Sequence, residues 1–537
     1  MVSSRGEPAA AAGGGCRHGA PPDAAFASGG GPPLRIVPMR RPPEPERALC
    51  RAWVGNRVVF FILMQASDPS SGYLSDVTFP DRFHRELSPT WLNYASVLGG
   101  ARPKELGRPF RYLDLGCGFA HSTVINAAAF PHAEFHACDF NPAHIEAAAR
   151  RASRLGIGNV AFHEASFDAL LDRDLPPFDF IVMHGIYSWV DAGVRRVIRQ
   201  LLSRRLADAG LVYLSYNCQP GWAAEAPLRK LMLELAQAAD GGIEARTGSA
   251  IAGMRKLGTP SLRYFRDNPA AAEALAALAN DPLDYLAHEF LNGTWKIHYS
   301  VDVVDEMAEA GLAYAGSATL ADNHPMLLID RQAADAIAAL PNARLRHLAE
   351  DFAVNRRFRR DVFVRGARAS TAPAEALRHL DEIAIGCTTE IDRIDTRVTI
   401  PRGAISFQPD FIADLRALLR HGAMRIGEIV ARLGAARRNS REIRQNLLFL
   451  VASGTLTPFA QPGGPTDTGA RRAASPAAAA ALAGSVDDAA PAFVPSELLG
   501  NGLAVSPDEA AQALRWIAGE AMPRPERLAR VGVLRGA

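Results

Sequence analysis

The chain has 537 residues, 48% of them hydrophobic, enough for about three or four domains with ample cores. A formal net charge of +2 at pH 7 gives no electrostatic argument for a nucleic-acid or membrane partner. The cysteines, Cys16, Cys50, Cys117, Cys138, Cys218 and Cys387, include no C-x-x-C pair, which suits reduced thiols in a cytosol and shows no metal site.

Residues 1 to 48 are rich in Ala, Gly and Pro and lack periodicity, so ordering them would cost more entropy than burial returns. The apolar run Val58-Val59-Phe60-Phe61-Ile62-Leu63 is far shorter than the roughly 20 residues of a membrane helix, and no small-residue cleavage site comes after it. Residues 1 to 63 are therefore expected to be disordered, or to be an extension ahead of a true start at Met64. Further on, Ser88-Pro89 sets an N-cap and a first-turn proline before Thr90-Trp91-Leu92-Asn93-Tyr94, which predicts a helix laid over a ligand mouth. Tyr73 and His84 on its approach read as incidental surface side chains.

Residues 111 to 126 form the organising stretch of the chain. Arg111-Tyr112-Leu113-Asp114-Leu115 reads as a strand, Gly116-Cys117-Gly118-Phe119-Ala120 as a glycine turn, and His121 to Asn126 as the start of a helix. Without β-carbons, Gly116 and Gly118 let a ligand lie on bare backbone at the end of a central strand. A dinucleotide turn needs a glycine where His121 stands, and a phosphate loop needs a lysine that is absent here. The remaining common ligand of an acidic-x-Gly-x-Gly turn is S-adenosylmethionine (SAM). A second run, Glu134 to Cys138, ends in Asp139, placed to accept the ribose hydroxyls. Asn141-Pro142 then opens a helix that Gly156 closes. Strand-like runs at 160–163, 178–184 and 211–216, with an amphipathic helix over 194–207, predict a parallel, doubly wound sheet.

The blocks Tyr112-Leu113-Asp114-Leu115-Gly116-Cys117-Gly118, Cys138-Asp139-Phe140-Asn141-Pro142, His184-Gly185-Ile186-Tyr187-Ser188-Trp189 and Ser215-Tyr216-Asn217-Cys218-Gln219-Pro220-Gly221-Trp222 resemble class I SAM-dependent methyltransferases. The last two resemble the bacterial protein lysine methyltransferases that carry a methyltransferase regulatory domain. The likeness covers roughly residues 70 to 330 and, more loosely, the region to 460. Ala120 departs from it, standing where many class I enzymes have a third glycine. The resemblance implies an α/β, Rossmann-like core over 64–222 and a regulatory or substrate segment over 223–330. In that segment a helix over 226–236 and further helices over 265–292 lead to closing strands at 312–320 and 326–330. Residues 332 to 366, with Arg356-Arg357-Phe358-Arg359-Arg360, read as arginine-heavy helix.

Helix, turn, helix and a strand-like Thr455-Leu456-Thr457 close a 331–460 unit as a small winged-helix-like domain, with Arg437, Arg438, Arg441 and Arg444 along its third helix. Winged helices bind protein as readily as DNA. Residues 461 to 490 read as a linker, and 507–518 as a short helical tail.

For the cofactor SAM, the expected contacts are Asp114 with Gly116, Cys117 and Gly118 at the methionine end, Asp139 on the ribose, Phe140 against the adenine, and Ser166 and Phe167 at the adenine amine, with His184 nearby. His184, Tyr187, Trp189, Tyr216 and Trp222 are the expected acceptor-side residues. The end of the fourth strand lacks the N-P-P-[YFW] pattern of enzymes acting on adenine or amide nitrogen, and an aromatic set suits a lysine amine. Two alternatives stay open: a small-molecule O- or N-methyltransferase, and a SAM-binding regulator that contacts DNA. A cytoplasmic enzyme with a methyl-acceptor protein as partner, no membrane or nucleic acid, and a homodimer left open, completes the expectation.

Overall fold

The computed structural model describes residues 36–37, 82–258, 262–278, 283–366, 373–435, 438–464 and 471–535. Of the segment expected to be disordered, only Ile36–Val37 falls among these, and it pairs antiparallel with residues 404–405. Tyr73 and Arg437 lie outside the described residues.

Five parallel strands carry the fold: β1 (Arg111–Leu115), β2 (Glu134–Asp139), β3 (Val160–Glu164), β4 (Phe178–Met183) and β5 (Leu206–Asn217). With β6 (Leu312–Ser317) and β7 (Phe358–Arg365) they form one seven-stranded sheet in the order β3-β2-β1-β4-β5-β7-β6, with β7 antiparallel to both neighbours. The order reverses beside β1, and a crevice at the carboxyl ends of β1 and β4 is where a doubly wound sheet binds ligands. Local chemistry starts the helices where expected. Ser88 caps α1 (Pro89–Leu98) by accepting the Thr90 N–H at 3.1 Å; α2 is His121–Ala129; Asn141 caps α3 (Pro142–Arg154) through Ala143 at 2.9 Å; Asp191 caps α4 (Ala192–Arg205) through Val194 at 2.9 Å.

Alternation along the strands separates two cores. Tyr112, Phe180, Val182, Leu211 and Tyr213 share one cluster with Trp91, Leu92 and Tyr94 of α1. Leu113, Leu115, Ile181, Met183, Val212 and Leu214 share the other with Ile198, Leu201 and Leu202 of α4. Each such side chain, fully buried, contributes roughly 1.5–3 kcal/mol. Between β5 and β6 the expected helices are present at Ala226–Gln237, Pro269–Leu278 and Leu283–Leu291, joined by an unexpected one at Ile243–Leu257, and they close around Met232, Met254, Phe265 and Phe290.

Three expectations are corrected. Residues 326–330 make no strand; Pro325–Leu327 is a turn of 3-10 helix, and the sheet is completed by β7. The stretch 332–366 is helical only over Arg331–Ala338 and Ala343–Ala353. Its last part is a strand because Arg359 (4% exposed) and Asp361 (0%) are buried as a pair, with Asp351 (0%) as third partner, rather than solvated. Residues 461–490 are not a simple linker, since Pro476–Asp487, the hairpin Ala492–Ser496/Asn501–Val505, and the helices Pro507–Ile517 and Glu526–Arg530 pack around buried Trp516. The alanines that suggested a loose chain instead permit close packing: Ala477, Ala478 and Ala481 are buried.

In the C-terminal half, Pro409–Leu419, Ile426–Gly434 and Ser440–Ala452 pack with a three-stranded antiparallel sheet of Met424–Arg425, Ala384–Gly386 and Thr457–Phe459. Arg438 is held by Asp414 at 2.7 Å and Arg444 by both oxygens of Asp381 at 2.9 and 2.7 Å, so two of the arginines offered for DNA are paired within the fold. Among the described residues no helix is long and apolar enough to cross a membrane.

Candidate active site

The turn after β1 is shaped by left-handed backbone: φ is +74° at Gly116, +53° at Gly118 and +49° at Ala120. A β-carbon on Gly116 would strike Ile186 Cδ1 at 2.1 Å, whereas one on Gly118 would meet nothing within 4 Å. Gly116 is thus fixed by packing, and Gly118 faces open space. Its N–H donates to Asp139 Oδ2 at 2.9 Å, and Asp139 Oδ1 accepts from Asn141 N at 3.0 Å, so the carboxylate at the end of β2 is tied to the turn at the end of β1. Asp139 keeps unused lone pairs on both oxygens for further donors. The N–H groups of Gly116 and Cys117 both donate to the Cys138 carbonyl, at 2.8 and 3.0 Å.

Asp114, 4% exposed, accepts a hydrogen bond from the Thr123 hydroxyl of α2. Burial pushes its pKa up to about 7, partly offset by that hydrogen bond and reinforced by the charge of Asp139. Phe140 and Phe167 lie in the apolar cluster beside Ile186, and Ser166 caps the short helix after β3 by accepting the Ala169 N–H at 3.3 Å. The Cys117 thiol is pushed up by burial and by the neighbouring acids, which keeps it protonated.

His184 directly follows β4 with Nδ1 2.7 Å from the Tyr213 hydroxyl, and burial drives its pKa well below the ordinary imidazole value. The His84 ring lies 3.9 Å from it, centroid to centroid, so His84 packs against the end of β4 and is not an isolated surface side chain. Burial lowers the His84 pKa to about 4. Nothing in the sequence pairs these two imidazoles, which are a hundred residues apart.

The aromatic residues of the acceptor side are all buried: Tyr187 0%, Trp189 4%, Tyr216 1% and Trp222 2% exposed. They do not form a single cage. Tyr187 and Tyr216 flank His298, with centroids at 5.4 and 5.9 Å; Trp222 packs edge-on against Trp295 at 5.1 Å; Trp189 sits in the core cluster below. The hydroxyls are committed, Tyr187 to Glu306 and Tyr216 to Asp361. Cationic partners are already present, with Arg357 3.7 Å above the Trp222 ring and Arg229 4.5 Å above Trp295. Trp295, His298 and Glu306 come from the segment after the inserted helices, where the sequence carries no motif to single them out.

Comparisons with known proteins bear on this geometry. Residues 113–212 match the family described as "methyltransferase domain" and residues 282–365 the one described as "predicted methyltransferase regulatory domain". An uncharacterised protein of Synechocystis is 34% identical over 360 residues, 67% of this chain and 71% of the relative. The chain belongs to the SAM-dependent methyltransferases that carry a regulatory domain. PKMT2 from Rickettsia typhi, also solved with AdoHcy, shares the fold at 17% identity, with TM-scores of 0.61 and 0.60; the first alignment covers 84% of this chain and 94% of that one. A trans-aconitate 2-methyltransferase of Methylobacterium radiotolerans is 34% identical over 170 residues, 31% of this chain and 60% of its own.

The residues present fit the methyltransferase cofactor. Open space above Gly118, a paired acid at the end of β2 and an apolar shelf of Phe140, Phe167 and Ile186 offer a polar rim beside a flat apolar wall. Bound SAM supplies a methyl group already activated by its sulfonium, so the protein's work is to align an acceptor and exclude water. The neutral His84 and His184 and the buried aromatic residues give the carboxyl ends of β4 and β5 low-dielectric surroundings.

Proposed function

We propose that this methyltransferase acts on the ε-amino group of lysine in an acceptor protein. In this reading Asp139 holds the ribose, Asp114 and the Gly116–Gly118 backbone, with Cys117 between them, receive the methionine end, Phe140 lies on the adenine, and Ser166 and Phe167 border its amino group. His184, Tyr187, Trp189, Tyr216 and Trp222 wall the acceptor side. The observation that carries the choice of acceptor is the burial of Tyr187, Trp189, Tyr216 and Trp222, whose apolar walls favour the neutral form of an amine. Of the arginines beside them, Arg199 is paired with Glu306 and Glu309 and Arg357 with Glu225, while Arg195 and Arg229 bond to backbone carbonyls. The fold shared with PKMT2, a protein lysine methyltransferase by name, supports the same reading.

The free thiols of Cys117, Cys138, Cys218 and Cys387 fit a reducing cytoplasm. A DNA-contacting regulator is disfavoured by the internal pairing of Arg438 and Arg444. The test is methyl transfer from radiolabelled SAM by the full chain to lysine-bearing proteins, with the modified residue identified by mass spectrometry. Label on lysine supports the proposal. Label confined to carboxylates or small molecules overturns it, and absence of SAM binding in a titration removes the cofactor roles as well.

A further inference from the structure

The segment 293–299 is laid across the carboxyl ends of β4 and β5 like a strap. Lys296 N donates to the Ser188 carbonyl at 2.8 Å, His298 N to the Asn217 carbonyl at 2.9 Å, and Gln219 N to the His298 carbonyl at 2.9 Å. These bonds hold the His298 side chain, 1% exposed, between the Tyr187 and Tyr216 rings. No side chain bonds to either ring nitrogen, since Glu306 and Asp361 hold the two tyrosine hydroxyls. The Tyr187 backbone carbonyl favours a proton on one nitrogen, which leaves the other without a partner. A buried polar atom without a partner is costly, so its presence beside the ends of β4 and β5 calls for an explanation. Burial, with Lys296 and Arg195 nearby, lowers the pKa to about 3, so the ring is neutral and has one nitrogen with an open lone pair.

We infer that His298 is a catalytic residue: its unpaired ring nitrogen accepts an N–H hydrogen bond from the acceptor amine and turns the amine lone pair toward the methyl donor. This rests on the lysine reading above. The amine enters neutral, having left its proton in solvent. Its lone pair takes the methyl group as the carbon–sulfur bond breaks, the bonding electrons stay on sulfur, and the product leaves as a methylammonium that carries the positive charge. No base is consumed, so a weakly basic imidazole suffices. The regulatory region thereby contributes directly to the acceptor site, through a side chain held by the ends of two catalytic-domain strands.

The test uses the full chain, radiolabelled SAM and poly-L-lysine, with the substitution His298→Phe, which keeps an aromatic ring and removes both nitrogens. Expected are a fall in kcat of about 10- to 100-fold, a KM for SAM within about twofold of wild type, and a melting temperature equal or higher, because an unpaired polar group has gone. A merely structural histidine gives the opposite pattern, lost stability together with lost activity. That result, or wild-type kcat in the variant, overturns the inference. A second measurement does not depend on turnover. Protein labelled with ¹⁵N-histidine and loaded with S-adenosylhomocysteine is titrated with n-butylamine, the His298 signal being assigned by its absence from the variant. A shift of that signal is expected, and an unmoved signal overturns the inference. If butylamine shifts His298 while poly-L-lysine stays unlabelled, the protein-lysine reading fails and the amine contact stands; if poly-L-lysine is labelled equally by both proteins, the reverse holds.

Discussion

Between pH 8 and pH 5 the affinity for SAM is expected to fall roughly 50-fold through one carboxyl group, that of Asp114. Its pKa of about 7, set by burial, leaves the ligand-free protein half protonated near neutrality. If the ammonium of the methionine end lies against it, an opposite charge at close range lowers a carboxyl pKa by about 1–3 units. Taking about two units, the bound form titrates near pH 5, Kd weakens roughly 50-fold from pH 8 to pH 5, and binding at pH 6 releases about 0.8 proton. Neighbouring imidazoles do not obscure this, because His84 at about 4 and His184, well below its ordinary value, are already neutral across most of the range. Calorimetric titration at pH 6 in two buffers of different ionisation enthalpy measures the proton release directly. Asp114→Asn removes the titration, and since the ligand's own ionisation is common to both proteins, the difference isolates the residue. Equal proton release by wild type and variant refutes the reasoning. The same shift has a stability consequence whose sign is opposite to that of a salt-bridged acid. The folded state holds this proton more tightly than the unfolded, so a destabilisation accrues as pH rises from about 4 to 7 and is complete above it. At pH 8, Asp114→Asn relieves on the order of a few kcal/mol in the ligand-free protein, read as a higher unfolding midpoint.

Gly118→Ala should leave the fold nearly intact, costing about 1 kcal/mol of left-handed strain, because a β-carbon there meets no atom within 4 Å. SAM affinity should still fall at least about tenfold, since the methyl occupies ligand space; unchanged Kd by titration counts against the cofactor position. Ala120 sits at the N-cap of α2 with φ +49°, so Ala120→Gly is expected to stabilise by about 1 kcal/mol in thermal unfolding, and destabilisation refutes the strain argument. Arg359→Met leaves Asp361 buried without its cation and Asp351 with only Arg356, at 3.6 Å, and should cost about 3–5 kcal/mol, measured by urea unfolding; a loss below about 1 kcal/mol means the network is not what holds β7. Trp516→Ala opens the C-terminal core and should cost about 3–5 kcal/mol, seen as early proteolysis within 471–535; protection equal to wild type argues that the tryptophan does not hold this unit together.

What was legible in the chain was local. Gly116, Gly118 and Asp139 could be placed because a short turn between strand and helix allows few conformations, and the caps Ser88 and Asn141 announce helix starts through their own hydrogen bonds. The seventh strand was hidden because Arg359 and Asp361, which look solvated in a one-dimensional pattern, are buried through partners such as Asp351 that no spacing rule connects. The alanine-rich tail was misread because composition cannot tell a flexible linker from a helix whose small side chains permit close packing; Trp516 and the capping box of Ser506 and Glu509 were the available signs. The aromatic residues lie around the ends of β4 and β5, yet their arrangement depends on His298 and Trp295, which arrive from far along the chain.

Three remote segments converge on the carboxyl edge of the sheet, and their convergence accounts for the placement of the neutral imidazoles. The C-terminal hairpin reaches back to the start of the described core: the Gly500 carbonyl accepts the Ser88 and Thr90 hydroxyls at 2.5 and 3.2 Å, Asn501 donates to the Arg85 carbonyl at 3.0 Å, and Phe493 stacks on Phe83 at 4.3 Å. These contacts, with the His84 N–H on the Ser122 hydroxyl at 2.8 Å, hold the His84 ring against His184. From the other side, the strap 293–299 sets His298 between Tyr187 and Tyr216. Each imidazole is therefore desolvated by a segment that does not belong to the parallel strands themselves. A β-sheet edge with its loops alone would leave these rings in water and near their ordinary pKa. The added segments exclude that water and so keep the rings neutral, the setting that the proposed lysine acceptor would require.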